Sequence, residues 1–149
     1  MNSIVTIVKG HVSNLSNPFT FIHGKKAEFN KKADDVAGDI AWLAYPIISP
    51  IRGTKGGGFE PIRPISIFLC RKTDMGDPTF DQQALIDHTT VSDAMEALCY
   101  KLLTLFQKDP EIREVYDYRV MPLMNETDSN LTGCVLEVKL RQILNDEVC

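Results

Sequence analysis

Between Phe80 and Leu105 a single stripe runs Phe80, Ala84, His88, Val91, Met95, Leu98, Leu102 and Leu105, with gaps of three and four residues throughout. That period predicts a long amphipathic helix over 80–107. Asp77-Pro78-Thr79 supplies start signals and Asp109-Pro110 a stop. Thr89-Thr90-Val91 is its weak point, because β-branched side chains crowd the preceding turn, and a kink or second start at Ser92 is allowed there. A shorter run with the same spacing, Ile4, Val5, Ile7, Val8, Val12 and Leu15, predicts a helix over 3–16. Asn14 to Pro18 closes it with a turn signal.

Elsewhere the period drops to two or disappears into continuous apolar runs. Phe19 to His23 and Lys26 to Lys31, joined at Gly24-Lys25, read as a small hairpin. Ile40 to Ile48 is apolar on both sides, as in a strand covered on two faces. In Pro61 to Arg71, Ile65, Ile67 and Leu69 point one way, Phe68 and Cys70 the other. Pro64 lacks an N–H and so belongs near the start of that strand or on an edge. Ile112–Leu123 and Leu131–Leu144 form a second hairpin; in the latter Cys134, Leu136, Val138 and Leu140 alternate with Val135, Glu137, Lys139 and Arg141. Strands joined without helical crossovers imply an α+β class: a mainly antiparallel sheet packed by one long helix, with an N-terminal helix and extended loops.

Two polar segments interrupt this order. Ser49 to Glu60 carries Pro50, Gly53 and Gly56-Gly57-Gly58, and 124–130 is rich in Asn, Asp and Ser. Glycine loses the most backbone freedom on ordering, and loops of about 12 residues or more, the length of 49–60, are usually functional or disordered in compact domains. Residues 49–60 and 124–130 are therefore expected to protrude from a single domain spanning 1–149. Arg52, Lys55, Gly56, Gly57, Gly58, Phe59, Asn125 and Glu126 are the candidate contact residues.

Composition narrows the function. At 149 residues, 44% hydrophobic and 24% charged, the chain has enough apolar material for one core. Its net charge of −4, with only the short basic pairs Lys25-Lys26 and Lys31-Lys32, argues against a phosphate-gripping surface. No run approaches a membrane span, and the N-terminal apolar stretch lacks a small-residue cleavage site. Cys70, Cys99, Cys134 and Cys149 show no C-x-x-C spacing and read as free thiols, the first three in apolar settings.

No chemical constellation stands out. The stretch Gly53 to Gly58 lacks the Gly-Lys-Ser/Thr of a phosphate loop and leads into a strand. His11, His23 and His88 share no metal-ligand spacing, and His88 sits on the apolar stripe as a boundary histidine. Asp34, Asp35 and Asp39 lack the alternation of a cation loop and read as a solvated turn. Trp42 reads as core. No catalytic residue, cofactor or metal is expected, and the chain is not expected to be an enzyme.

Phe19-Thr-Phe-Ile-His-Gly24, Trp42-Leu-Ala-Tyr-Pro46, Ile65-Ser-Ile-Phe-Leu69, the helix from Asp81-Gln82-Gln83, Asn130-Leu-Thr-Gly-Cys-Val-Leu-Glu137 and the closing Cys149 resemble a group of small proteins of phages and prophages of Bacteroidales. Those are similar in element order to tail-terminator and tail-completion proteins of long-tailed phages. The resemblance implies a virion structural protein at the head–tail junction, made in the host bacterial cytoplasm. It further implies rings of six or twelve copies, contacts with portal, adaptor or tail proteins, and genome DNA passing through without sequence-specific binding. The alternative expectation is a small α+β ligand- or peptide-binding module with no catalysis.

Overall fold

The computed structural model describes residues 3–25, 29, 32, 36, 38–48, 50–53, 59–72, 82–126 and 131–143. Its elements are α1 (Ile4–Ser13), β1 (Phe19–Gly24), β2 (Asp39–Ala44), β3 (Ile51–Gly53), β4 (Phe59–Lys72), α2 (Gln82–Lys108), β5 (Ile112–Glu126) and β6 (Leu131–Gln142). The main sheet has the order β1-β2-β4-β6-β5, and β3 pairs with the free end of β4. All pairings are antiparallel except β1 with β2. This is the α+β architecture the periodicity predicts.

Each helix forms for an identifiable reason. In α1 the Ser3 hydroxyl accepts the Thr6 N–H at 3.2 Å, closing the first turn. Burial of Ile4, Ile7, Val8 and Val12 then outweighs the weak helix propensity of β-branched residues. In α2 a continuous face from Ala84 through His88, Val91, Met95, Cys99, Leu102 and Phe106 is buried. Both helices cover one face of the sheet, on Ala41, Leu43, Ile65, Ile67, Leu69, Leu136, Val138 and Leu140.

The opposite face has a smaller core built around Trp42. Its indole lies between Phe29 (centroids 4.2 Å apart, rings 6° from parallel) and Phe68 (4.4 Å, 28°). The indole N–H donates to the Gly24 carbonyl at 2.9 Å. Ile22, Ile40, Cys70, Leu123, Leu131 and Val135 complete this cluster. The split of β4 into an Ile65/Ile67/Leu69 face and a Phe68/Cys70 face is thus as the alternation predicts. β2 is buried on both sides from Ile40 to Leu43, but the strand expected to reach Ile48 ends at Ala44, and Tyr45 and Ile48 are exposed.

Three expectations are corrected. Phe19–His23 does not pair with Lys26–Lys31: β1 lies parallel to β2, from Phe19 opposite Asp39 to Gly24 opposite Ala44. Parallel neighbours need a crossover, and residues 25–38 supply it. Phe29, whose N–H bonds the Lys25 carbonyl at 2.9 Å, caps Trp42 from this crossover. The segment 49–60 is not all loop: Ile51–Gly53 pairs with Phe59–Pro61, and the Pro50 carbonyl accepts the Ile62 N–H at 2.8 Å. The two arms satisfy each other's backbone groups, making β3–β4 a hairpin with 54–58 as its connection. Likewise β5 runs on until Glu126 stands opposite Leu131, so that only 127–130 connects the strands. Lys55, Gly56, Gly57, Gly58 and 127–130 lie outside the described residues.

Register fixes where these connections sit. The β4–β6 pairing runs from Ile62 opposite Arg141 to Lys72 opposite Leu131. The β3–β4 hairpin therefore leaves one end of the pair and the β5–β6 connection leaves the other, roughly 33 Å away at the usual rise per residue. Pro64 sits where the β2 pairing, confined to Ile67–Cys70, no longer covers β4, so its missing N–H costs no ladder bond on that side. In β6 the alternation holds only in the second half. From Leu131 to Leu136 every residue is buried, because Val135 meets the Trp42 cluster.

Candidate functional site

The hairpin end of the sheet is held by a carboxylate outside the candidate residues. Glu60, 8% exposed, opens β4. Arg113 Nε reaches both its oxygens, at 2.9 and 3.0 Å, and Arg141 Nε lies 2.7 Å from Oε2. Arg141 also pairs with Glu114 at 3.7 Å, and Arg63 Nε donates to Gln142 Oε1 at 3.1 Å. One buried anion thus ties the root of β4 to the ends of β5 and β6. Of the candidate contact residues, Arg52 stands opposite Glu60 and Phe59 opposite Gly53 in the hairpin ladder. Asn125 and Glu126 end β5 at the far pole of the sheet. The structure thus divides the described candidates between two ends instead of gathering them into one site.

Several other titratable groups among the described residues do structural work. Burial opposes ionisation of Asp39, yet the hydrogen bonds from Arg71 and Asn17 and the Arg71 charge outweigh it and hold the carboxyl below its usual range. Arg71 grips it with two bonds, Nε at 2.7 Å and Nη2 at 3.1 Å. The expected solvated turn at Asp39 is therefore a clamp between β2 and β4. Asp34 and Asp35 lie outside the described residues. His11 Nε2 meets Asp109 Oδ2 at 2.5 Å, and its ring stands edge-on to Phe106, pinning α1 to the end of α2. His23 Nδ1 bonds the Leu43 carbonyl at 2.8 Å. His88 is fully buried and bonds the Thr132 hydroxyl at 2.6 Å.

The three thiols among the described residues are poorly suited to nucleophilic chemistry. Cys70, Cys99 and Cys134 are free and buried, as expected. Burial, with the Asp39 charge adding to it, pushes the Cys70 thiol up to about 12. Burial likewise raises Cys99, helped by Cys134 and Glu96. Cys134 is raised by burial and by the Glu96 and Asp93 charges, against a partial offset from the Ser92 hydrogen bond. Each stays a thiol at neutral pH, and the thiolate is the reactive form.

Between α2, β5 and β6 lies a cleft of about 300 Å³ lined by Thr89, Ser92, Asp93, Glu96, Val120, Pro122 and Cys134. Neither His88 nor Cys99 reaches it. Ser92 is occupied with the Gly133 carbonyl at 3.0 Å, and Cys134 donates back to the Ser92 carbonyl at 3.1 Å. Among the described residues no group of three or more His, Cys, Asp or Glu side chains is placed to hold a metal ion. No helix among them is long and apolar enough to cross a membrane.

Glu60 could have been noticed as a lone acid at the start of an apolar strand. Its partners Arg113 and Arg141 carry no such signal, since they meet it only through the β4-β6-β5 order. No protein-family model matches the chain, and no curated protein matches it with significance.

Proposed function

We propose that this chain is a structural component of a phage head–tail junction, a neck, tail-terminator or tail-completion protein. In this reading it closes into a ring of six or twelve copies and joins the portal side of the capsid to the tail. Copies are made in the host bacterial cytoplasm and reside in the virion. The observation that carries the reading is the placement of the β3–β4 hairpin and the β5–β6 connection at opposite ends of the β4–β6 pair. A ring with a head-to-tail interface needs two different surfaces on each subunit, one to give and one to receive. The Glu60 ion-pair knot roots the first arm firmly in the body, so a force applied to the hairpin is passed to three strands. A net charge of −4 suits a channel through which DNA slides without being held.

The role is one of shape and contact, with no catalytic step and no cofactor. Light scattering after size exclusion, alone and with portal, adaptor and tail-tube proteins of the same particle, tests it. A closed ring, or incorporation into particles that is lost when 54–58 is shortened, is the expected result. A chain that stays single with every such partner and never enters particles overturns it. The 300 Å³ cleft beside α2 favours the second reading, a ligand- or peptide-binding module. That reading predicts binding unaffected by shortening 54–58 and abolished by filling the cleft at Ser92 or Val120.

A further inference from the structure

We propose that the outward face of α2 is a two-fold docking surface for a second copy of this chain, with the two α2 helices antiparallel and crossing near Ala97. The helix has 27 residues, about 40 Å at the usual rise. Its inner face is spent on the sheet and α1. An outer face left to water is ordinarily dense in charge. Here, along the side opposite Met95 and Cys99, come Ile86, Thr90, Asp93, Ala94, Ala97, Tyr100, Lys101 and Thr104, all exposed. Ile86 and Tyr100 are 54% and 55% exposed in the single chain. Ala94 and Ala97 leave a shallow centre where another backbone can come close.

The occupant is identified by symmetry and charge. Asp93 and Lys101 stand four residues to either side of Ala97. Turning a copy over about Ala97 brings Asp93 of each chain opposite Lys101 of the other, so that two ion pairs form at once. The same turn sets Thr90 beside Thr104. A parallel pairing in register would instead face Asp93 with Asp93 and Lys101 with Lys101. The acids Asp87, Asp93 and Glu96 precede Ala97 and the bases Lys101 and Lys108 follow it. Antiparallel alignment is therefore favoured over the whole length, and the two helix dipoles oppose each other as well. This contact is isologous and does not depend on the ring reading, whose interface is head-to-tail. Combined with a ring, it would set two rings back to back.

Sedimentation velocity across about 1–200 µM tests the proposal. The wild-type chain is expected to associate in even multiples. Asp93→Lys and Lys101→Asp each place like charges opposite one another and should weaken that step by about tenfold or more. An equimolar mixture of the two variants restores complementary pairs and should associate again, as should the double variant Asp93→Lys/Lys101→Asp alone. Far-UV circular dichroism confirms that each variant is folded. The proposal is overturned if the wild type sediments as a single 16.7 kDa chain throughout, or if the single variants associate like the wild type. It is equally overturned if the mixture and the double variant fail to recover. Loss of a ring on shortening 54–58 with this step intact would separate the two interfaces.

Discussion

A Cβ placed on Gly133 would stand 2.7 Å from the Cα of Cys70 and nearer still to the Leu69 carbonyl oxygen. The backbones of β6 and β4 approach so closely here that only glycine fits. Gly133→Ala must push the two central strands apart beside the Ser92 and Cys134 hydrogen bonds. The expected loss is about 3 kcal/mol, read as a lower urea midpoint with an unchanged slope. A midpoint within experimental error of the wild type would show that the ladder yields freely at this point.

Glu60→Gln leaves Arg113 and Arg141 facing a neutral amide. Breaking an enclosed ion pair typically costs about 3–5 kcal/mol. The Arg113 side chain is half exposed, so the expected cost here is smaller, about 2 kcal/mol. The root of the hairpin should loosen more than the body. Limited proteolysis is expected to cut within 54–58 faster in the variant, while the helical circular dichroism signal changes little.

Asp39 makes part of the fold's stability depend on pH. Its carboxyl titrates lower in the folded chain than in the unfolded one, so between those two values the unfolded state binds more protons. Stability from this group is therefore complete above the usual carboxylate value, about 4, and lost as the pH falls through the folded value. Asp39→Asn should lower stability at pH 7 and flatten its decline below about pH 4. Urea midpoints measured for both proteins from neutral to acidic pH would reveal it, and parallel curves would rule it out.

Trp42 is the sole tryptophan and reports on its own cluster. Phe29→Ala removes one of its two stacked neighbours and should shift the emission to the red. The expected stability cost is about 3 kcal/mol, typical of deleting a buried phenylalanine. An unshifted spectrum would mean that the crossover does not shield the indole.

Local patterning carried much of this architecture. The α2 stripe, the two faces of β4 and the doubly buried β2 all follow from spacing, because each element buries its own side chains in a repeating way. The partner of β1 was not legible: Phe19–His23 is followed by a plausible turn, and what favours the crossover to β2 is non-local, such as Phe29 stacked on Trp42 and the indole N–H on the Gly24 carbonyl. The extent of the arms lies beyond local patterning for a related reason. Glycine and proline raise the cost of order at Gly53 and Pro50, yet pairing with the next strand repays it. At the candidate site, the residues picked from 49–60 and 124–130 mark two ends of one sheet, a relation set by strand order alone. The Glu60 knot is invisible for the same reason.

The outer strand β5 is irregular along its length. Its pairing with β6 slips between Ile112 and Glu114, between Tyr116 and Arg119, and between Leu123 and Glu126. Asp117 takes a left-handed backbone, φ 48°, at the middle slip and is tethered to Lys139 at 3.1 Å. Such a border cannot template a regular new strand. Crowded copies are thereby discouraged from zipping border to border into fibres along β5.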